Sequence, residues 1–265
     1  MPTAALADAT ITYDDTGGPG PVVVLAHGLL MDRTMFEPQV EALRDRFRVV
    51  TWDARGFGDT TWDGGPFTYW DLAADCLGLL DHLGVERAVV GGMSQGGFIS
   101  LRVALSAPER VAALVFIDSQ AGAEEEDAIA LYKPMIDDWV TNGPSDGIGM
   151  AAAELILGAP DLNEAWYRRY AERPGHLLEQ PGAAFLYRDD LTDRLGEITA
   201  PALVIHGTAD ISIPMVKAEA LAAGLSGSPG VTVIEGGTHA SNLTRPDAVN
   251  EALLGFLLDP ALTLT

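Results

Sequence analysis

The 265-residue sequence predicts an α/β fold: a mostly parallel, doubly wound sheet with helices on both faces and a helical cap insertion. Three observations predict it. Short, continuously apolar runs alternate with stretches of helical periodicity, the pattern of buried parallel strands joined by crossover helices. One such run meets one such helix at Gly92-Met93-Ser94-Gln95-Gly96, a serine framed by glycines. From residue 121 to about 199 the alternation stops and no strand is apparent.

Residues 10–13 alternate and predict an edge strand, followed by a turn over 14–20. Residues 21–26 are almost wholly apolar, as a strand covered on both faces requires. A helix is expected over 34–46, with Met35, Val40 and Leu43 on one side. A strand at 47–52, a helix at 69–83 and a strand at 87–91 follow, then the glycine-framed serine and a helix from 97 to 105. Residues 111–117 form another buried strand, ending at Asp118. The insertion carries four helices, near 127–141, 146–157, 163–173 and 175–187. The core resumes with a strand from Pro201 that ends in a turn at Asp210. A strand from Val231 runs into Gly236-Gly237, and a helix over 246–258 closes the chain. Three segments result: core over 1–120, helical cap over 121–199 and core over 200–265.

Acidic residues outnumber basic ones 38 to 16, a formal charge of −22, and Lys133 and Lys217 are the only lysines. Such a field repels nucleic acid and anionic membrane surfaces, so partners of those classes are not expected. The first residues lack the basic and apolar regions of a secretory signal. No apolar stretch approaches the ~20 residues of a membrane span. Cys76, the single cysteine, is read as a buried helical thiol, which leaves no internal disulfide. A cytoplasmic protein is expected, with a homodimer as the default assembly.

A serine between strand and helix needs a sharp bend, which demands small residues two places before and after it; Gly92 and Gly96 supply them. The bend lifts the hydroxyl above the sheet, beside the positive end of the next helix. Serine is a poor nucleophile without a base in hydrogen-bond reach. His239, just past Gly236-Gly237, is the candidate base, and Asp210 the candidate acid. His27 and His206 stand beside glycines at strand ends and are expected to make structural hydrogen bonds; His82 and His176 fall on helices, at the surface. The segment from Asp53 to Thr60 lacks the lysine of a phosphate loop and the spacing of a dinucleotide fingerprint. It is read as a structural turn in which Arg55 pairs with an acid. No group of His, Asp, Glu or Cys has metal-ligand spacing, so no metal and no cofactor are expected.

With Ser94, Asp210 and His239 in that order, the chain resembles the α/β-hydrolases over nearly all its length. The matching features are the His27-Gly28 turn, Asp53-Ala54-Arg55-Gly56-Phe57-Gly58, the serine turn, His206-Gly207-Thr208-Ala209-Asp210, and the segment from His239 to Pro246. It is most similar to small capped bacterial esterases, enol-lactone hydrolases and cofactor-free haloperoxidase or perhydrolase-type proteins. The resemblance implies Ser94 as nucleophile, His239 as base and Asp210 as orienting acid. Asp118 is the alternative acid, because some members carry it there. It also implies an oxyanion hole from the backbone N–H groups of Leu29 and Gln95, whose side chains would be free to vary. The implied substrate is a small carboxylic ester or lactone, bound under the cap and cleaved through an acyl-enzyme. Candidate pocket walls are Leu29, Leu30, Met31, Met93, Trp139, Trp166, Tyr167, Tyr170 and Phe185, an apolar set. A lactone bearing a carboxylate would need a cation there, and Arg188 or Arg33 could offer one. Serine at the bend argues against the haloalkane dehalogenases and epoxide hydrolases of this superfamily, which use aspartate. Perhydrolysis, acyl transfer and carbon–carbon bond hydrolysis would reuse the same triad; a ligand-binding protein without turnover is the non-enzymatic alternative.

Overall fold

A computed structural model describes residues 1–264. Its strands, in chain order, are β1 (Thr3–Ala5), β2 (Ala9–Asp15), β3 (Val22–Ala26), β4 (Arg48–Trp52), β5 (Thr61–Trp62), β6 (Ala88–Met93), β7 (Val111–Ile117), β8 (Ala202–Gly207) and β9 (Val231–Ile234). They form one sheet in the order β1-β2-β4-β3-β6-β7-β8-β9, with β5 paired to β2. Pairing is parallel from β4 to β9 and antiparallel at β1, β2 and β5, so the sheet is of the mostly parallel class expected. Every residue of β6, β7 and β8 is buried, which accounts for their unbroken apolar character. β1 and β5 escape sequence reading because three and two residues cannot display a period of two.

The helices outside the insertion are α1 (Glu37–Leu43), α2 (Tyr69–His82), α3 (Gln95–Ser106), α8 (Met215–Gly224), α9 (Ser241–Thr244) and α10 (Pro246–Leu257). The expected helix over 34–46 is instead a 3-10 turn, Arg33–Phe36, followed by α1. Asp32 caps the 3-10 turn by accepting the Thr34 N–H, and Pro38, well suited to a first turn, marks the restart. α2 begins at Thr68, whose hydroxyl accepts the Trp70 N–H while Asp71 reaches back to the Thr68 N–H. This capping box stabilises the start by about 1 kcal/mol. Cys76 lies buried in α2, where burial pushes its thiol up to about 12.

Between β7 and β8 the chain forms α4 (Glu126–Asn142), α5 (Asp146–Leu157), α6 (Pro160–Ala171) and α7 (Glu179–Leu186), and no strand among the described residues. Ser145 caps α5 through the Ile148 N–H, and Gly158 ends it at φ +57°, the left-handed conformation that glycine adopts without strain. α6 starts three residues before its expected position because Pro160 opens the first turn. No helix among the described residues is long and apolar enough to cross a membrane.

β3 and β6 are sheet neighbours, yet the chain leaves β3 toward β4 on one side and returns to β6 on the other. At such a reversal the turns after the two strands diverge and leave a crevice at the carboxyl ends. The Gly28-Leu29 turn and Ser94 flank that crevice.

Candidate active site

Ser94 links β6 to α3 with φ 48° and ψ −108°, a strained conformation for a residue with a Cβ. The surroundings hold it: the Ser94 N–H donates to Ile117 O (2.9 Å), and the Ser119 hydroxyl donates to Ser94 O (2.8 Å). Close approach of the Ala26 carbonyl explains both flanking glycines. A Cβ on Gly92 would lie 2.2 Å from that oxygen, and one on Gly96 1.9 Å from it.

His239 lies beyond β9, and its Nε2 is 3.0 Å from the Ser94 hydroxyl. Its Nδ1 is 2.8 Å from Asp210 Oδ2. A carboxylate only accepts, so Nδ1 carries the proton and Nε2 is left to accept from Ser94. Asp210 Oδ1 accepts the Ser212 and Ile213 N–H groups at 2.8 and 2.9 Å, which fixes the carboxylate in the turn after β8. Burial opposes charge on both partners. It is outweighed: His239 lies above the ordinary imidazole value and Asp210 below the ordinary carboxylate value, because each favours the other's ionised form.

Asp118 does not contact His239 as an acid partner. Its Oδ1 accepts the Gly207 N–H (2.9 Å) and its Oδ2 the Ser241 N–H (2.8 Å), tying the end of β8 to the loop after His239. Burial, then repulsion from Asp210, pushes its carboxyl up to about 7. Sequence spacing suggested no metal cluster, but the fold brings ligand atoms of Asp118, His206 and Asp210 within 4.8 Å of one another. All four carboxylate oxygens of the trio already accept hydrogen bonds, and His206 Nε2–H donates to Ile213 O (2.8 Å). The cluster is therefore a hydrogen-bonded hub joining three loops.

His27 holds the other side of the crevice. Burial keeps its imidazole below the ordinary value, so it is neutral; Nε2 accepts the Ala54 N–H (3.0 Å) and Nδ1–H donates to Gly28 O (2.7 Å). The Met31 N–H donates to the same carbonyl (3.1 Å), which closes the Gly28–Met31 turn with Leu30 at φ 64°. Leu29 borders the cavity above Ser94. As first residue of α3, Gln95 presents an N–H with no acceptor inside the helix. Its side chain is not free to vary, contrary to expectation. It is buried, accepts from the Tyr69 hydroxyl (3.3 Å) and donates to His27 O (3.4 Å), bracing the two turns against each other.

A cavity of about 120 Å³ opens above Ser94 and His239. Of the candidate wall residues, Leu29, Leu30, Met93, Trp139 and Phe185 line it. Met31, Trp166 and Tyr170 do not. They line a separate space of about 40 Å³, which shares Leu30, Trp139 and Leu178 with the first. The Tyr170 hydroxyl turns to Met31 Sδ (3.6 Å), and the Arg169 guanidinium covers Trp166 at 4.5 Å. Tyr167 reaches neither space and donates to Asp146. Sequence reading missed Phe98, Glu124 and Tyr132, which join the main cavity, and Ile148 and Ile156 of α5. Neither expected arginine supplies a cation there. Arg33 is engaged by Asp14, Asp53 and Asp59, and Arg188 by Glu124.

Fold and site together define a class. A family model described as the α/β hydrolase fold matches residues 21–246, and the chain belongs to that family. Among curated relatives, the putative carbamate hydrolase RutD of Azorhizobium caulinodans is 30% identical and aligns over 97% of this chain and 98% of its own. A thermophilic esterase from Thermogutta terrifontis superposes with a TM-score of 0.86 at 29% identity, covering 94% of this chain and 93% of its own. The enol-lactonase from Burkholderia xenovorans LB400 superposes with a TM-score of 0.88 at 27% identity, over 97% and 100%.

Proposed function

We propose that this α/β hydrolase cleaves a small carboxylic ester or lactone through an acyl-enzyme on Ser94. The observation that carries the reading is the unbroken chain Asp210–His239–Ser94, with contacts of 2.8 and 3.0 Å, at the floor of an apolar cavity. His239 takes the serine proton as the hydroxyl attacks the carbonyl carbon, and Asp210 stabilises the imidazolium that forms. The oxyanion rests on the Leu29 and Gln95 N–H groups beside the α3 N-terminus. The alcohol leaves with the proton held on His239. Water then repeats the sequence on the acyl carbon, freeing the acid and Ser94. The helical insertion serves as the cap that shapes the cavity and excludes water.

Because relatives are named for carbamate, ester and lactone chemistry, the test is a panel of p-nitrophenyl esters, lactones and aryl carbamates, with peroxide arms for perhydrolysis. A fluorophosphonate probe should label wild-type protein and leave Ser94→Ala unlabelled. Ser94→Ala should lose about 10⁶-fold in kcat while melting near the wild-type temperature. Labelling elsewhere, or turnover surviving in Ser94→Ala, would overturn the reading.

A further inference from the structure

The cavity above Ser94 has one carboxylate on its wall, Glu124, and no lysine or arginine among its described lining residues. Glu124 follows β7 and is mostly buried, with 11% of its side chain exposed. Its Oε1 pairs at 2.7 Å with Arg188, whose side chain is 1% exposed. The guanidinium lies over the Phe98 and Phe185 rings, 4.2 and 5.3 Å from their centroids, and donates to the Gly122 and Phe185 carbonyls. Its Nη2 has no partner among the described residues. Glu124 borders the cavity and Arg188 does not, so a bound substrate meets the negative end of the pair.

We propose that Glu124 sets the charge preference of this site, admitting uncharged acyl or alkoxy groups and rejecting those that carry a carboxylate. The inference rests on the ester- or lactone-hydrolase reading of Ser94 and narrows its substrate class. A substrate carboxylate would lie against another carboxylate in a space walled mostly by apolar side chains, where like charges repel more strongly than in solution. Replacing Glu124 by glutamine keeps shape and an acceptor for Arg188. It also leaves a buried guanidinium with no anionic partner, so the preference should shift toward anions.

The experiment compares p-nitrophenyl heptanoate with mono-p-nitrophenyl adipate, matched in length but differing by one charge. Wild-type kcat/KM should favour the heptanoate by at least about 50-fold, and Glu124→Gln should narrow that ratio at least about tenfold. The double variant Glu124→Gln/Arg188→Met, which strands no buried charge, should show a ratio between the two. Equal wild-type use of both esters would overturn the proposal, as would a ratio that Glu124→Gln, or the double variant if the single one does not fold, leaves unchanged. Absence of heptanoate turnover and of Ser94 labelling would instead overturn the hydrolase reading itself.

Discussion

Replacing Asp210 by asparagine removes one charge and reverses one hydrogen bond. The amide oxygen must face the Ser212 and Ile213 N–H groups, because turning the NH₂ toward them would set donors against two donors. That choice leaves Nδ2 against His239 Nδ1, 2.8 Å away in the native contact. The imidazole then accepts at Nδ1 and carries its proton on Nε2, 3.0 Å from Ser94, where it donates and cannot take the serine proton. Holding the wrong tautomer should cost on the order of 10⁴-fold in kcat, or about 5.5 kcal/mol of barrier. Asp118→Asn acts differently. It keeps one of two backbone bonds and faces an NH₂ to the other amide, so it should cost about 1–3 kcal/mol of stability and no more than roughly 10²-fold in kcat. The assay is kcat with p-nitrophenyl butyrate, normalised to sites titrated by fluorophosphonate, with melting curves alongside. Asp210→Asn within tenfold of wild type, together with an inactive but folded Asp118→Asn, would refute the reasoning and make Asp118 the acid.

Three further outcomes are expected. The acid limb of kcat/KM should fall above pH 6.5: burial alone would lower His239, but Asp210 raises it, and only the neutral ring accepts a proton. In Asp210→Asn that limb should move to lower pH, and an unmoved limb would assign it to another group. Gly96→Ala should lose about 1–3 kcal/mol and most activity, since its Cβ would fall 1.9 Å from Ala26 O; a wild-type melting temperature would contradict the packing argument. Trp139→Ala should join the two neighbouring spaces, cost about 3–5 kcal/mol and shift kcat/KM toward longer acyl chains, read from a C2–C12 ester series.

What could be read from the residues follows the sheet. Ser94, Asp210 and His239 follow carboxyl ends of strands whose apolar runs are unmistakable, and residues that end neighbouring parallel strands emerge on one edge. The insertion offers no such ruler. Trp166 and Tyr170 are aromatic at helical spacing, but which side of α6 faces which space depends on crossing angles that a period of 3.6 does not encode. Glu124 stands at the head of an acidic run, Glu124-Glu125-Glu126-Asp127, in which the pattern distinguishes no member; only the fold turns the first one inward to Arg188. The roles of Asp118 and the Gln95 side chain were hidden because their partners are mostly backbone groups of remote turns.

The same connections argue against treating the insertion as a detachable specificity module. Leu155 O, near the end of α5, accepts from the Ser212 hydroxyl at 3.1 Å, and Ser212 in turn donates its N–H to Asp210. The next carbonyl, Ile156 O, accepts the N–H of Ala240, the residue after His239, at 3.0 Å. Side chains of the same two residues line the cavity. One turn of helix therefore both shapes the substrate space and restrains the loops that carry the proposed acid and base. Changes elsewhere in the insertion can alter substrate fit through KM alone. Changes that move the end of α5 must also disturb His239 geometry, and proton transfer is sensitive to small displacements. On the proposed mechanism, specificity and rate would be mechanically joined at residues 155–156, the stretch where the insertion grips the loops of Asp210 and His239.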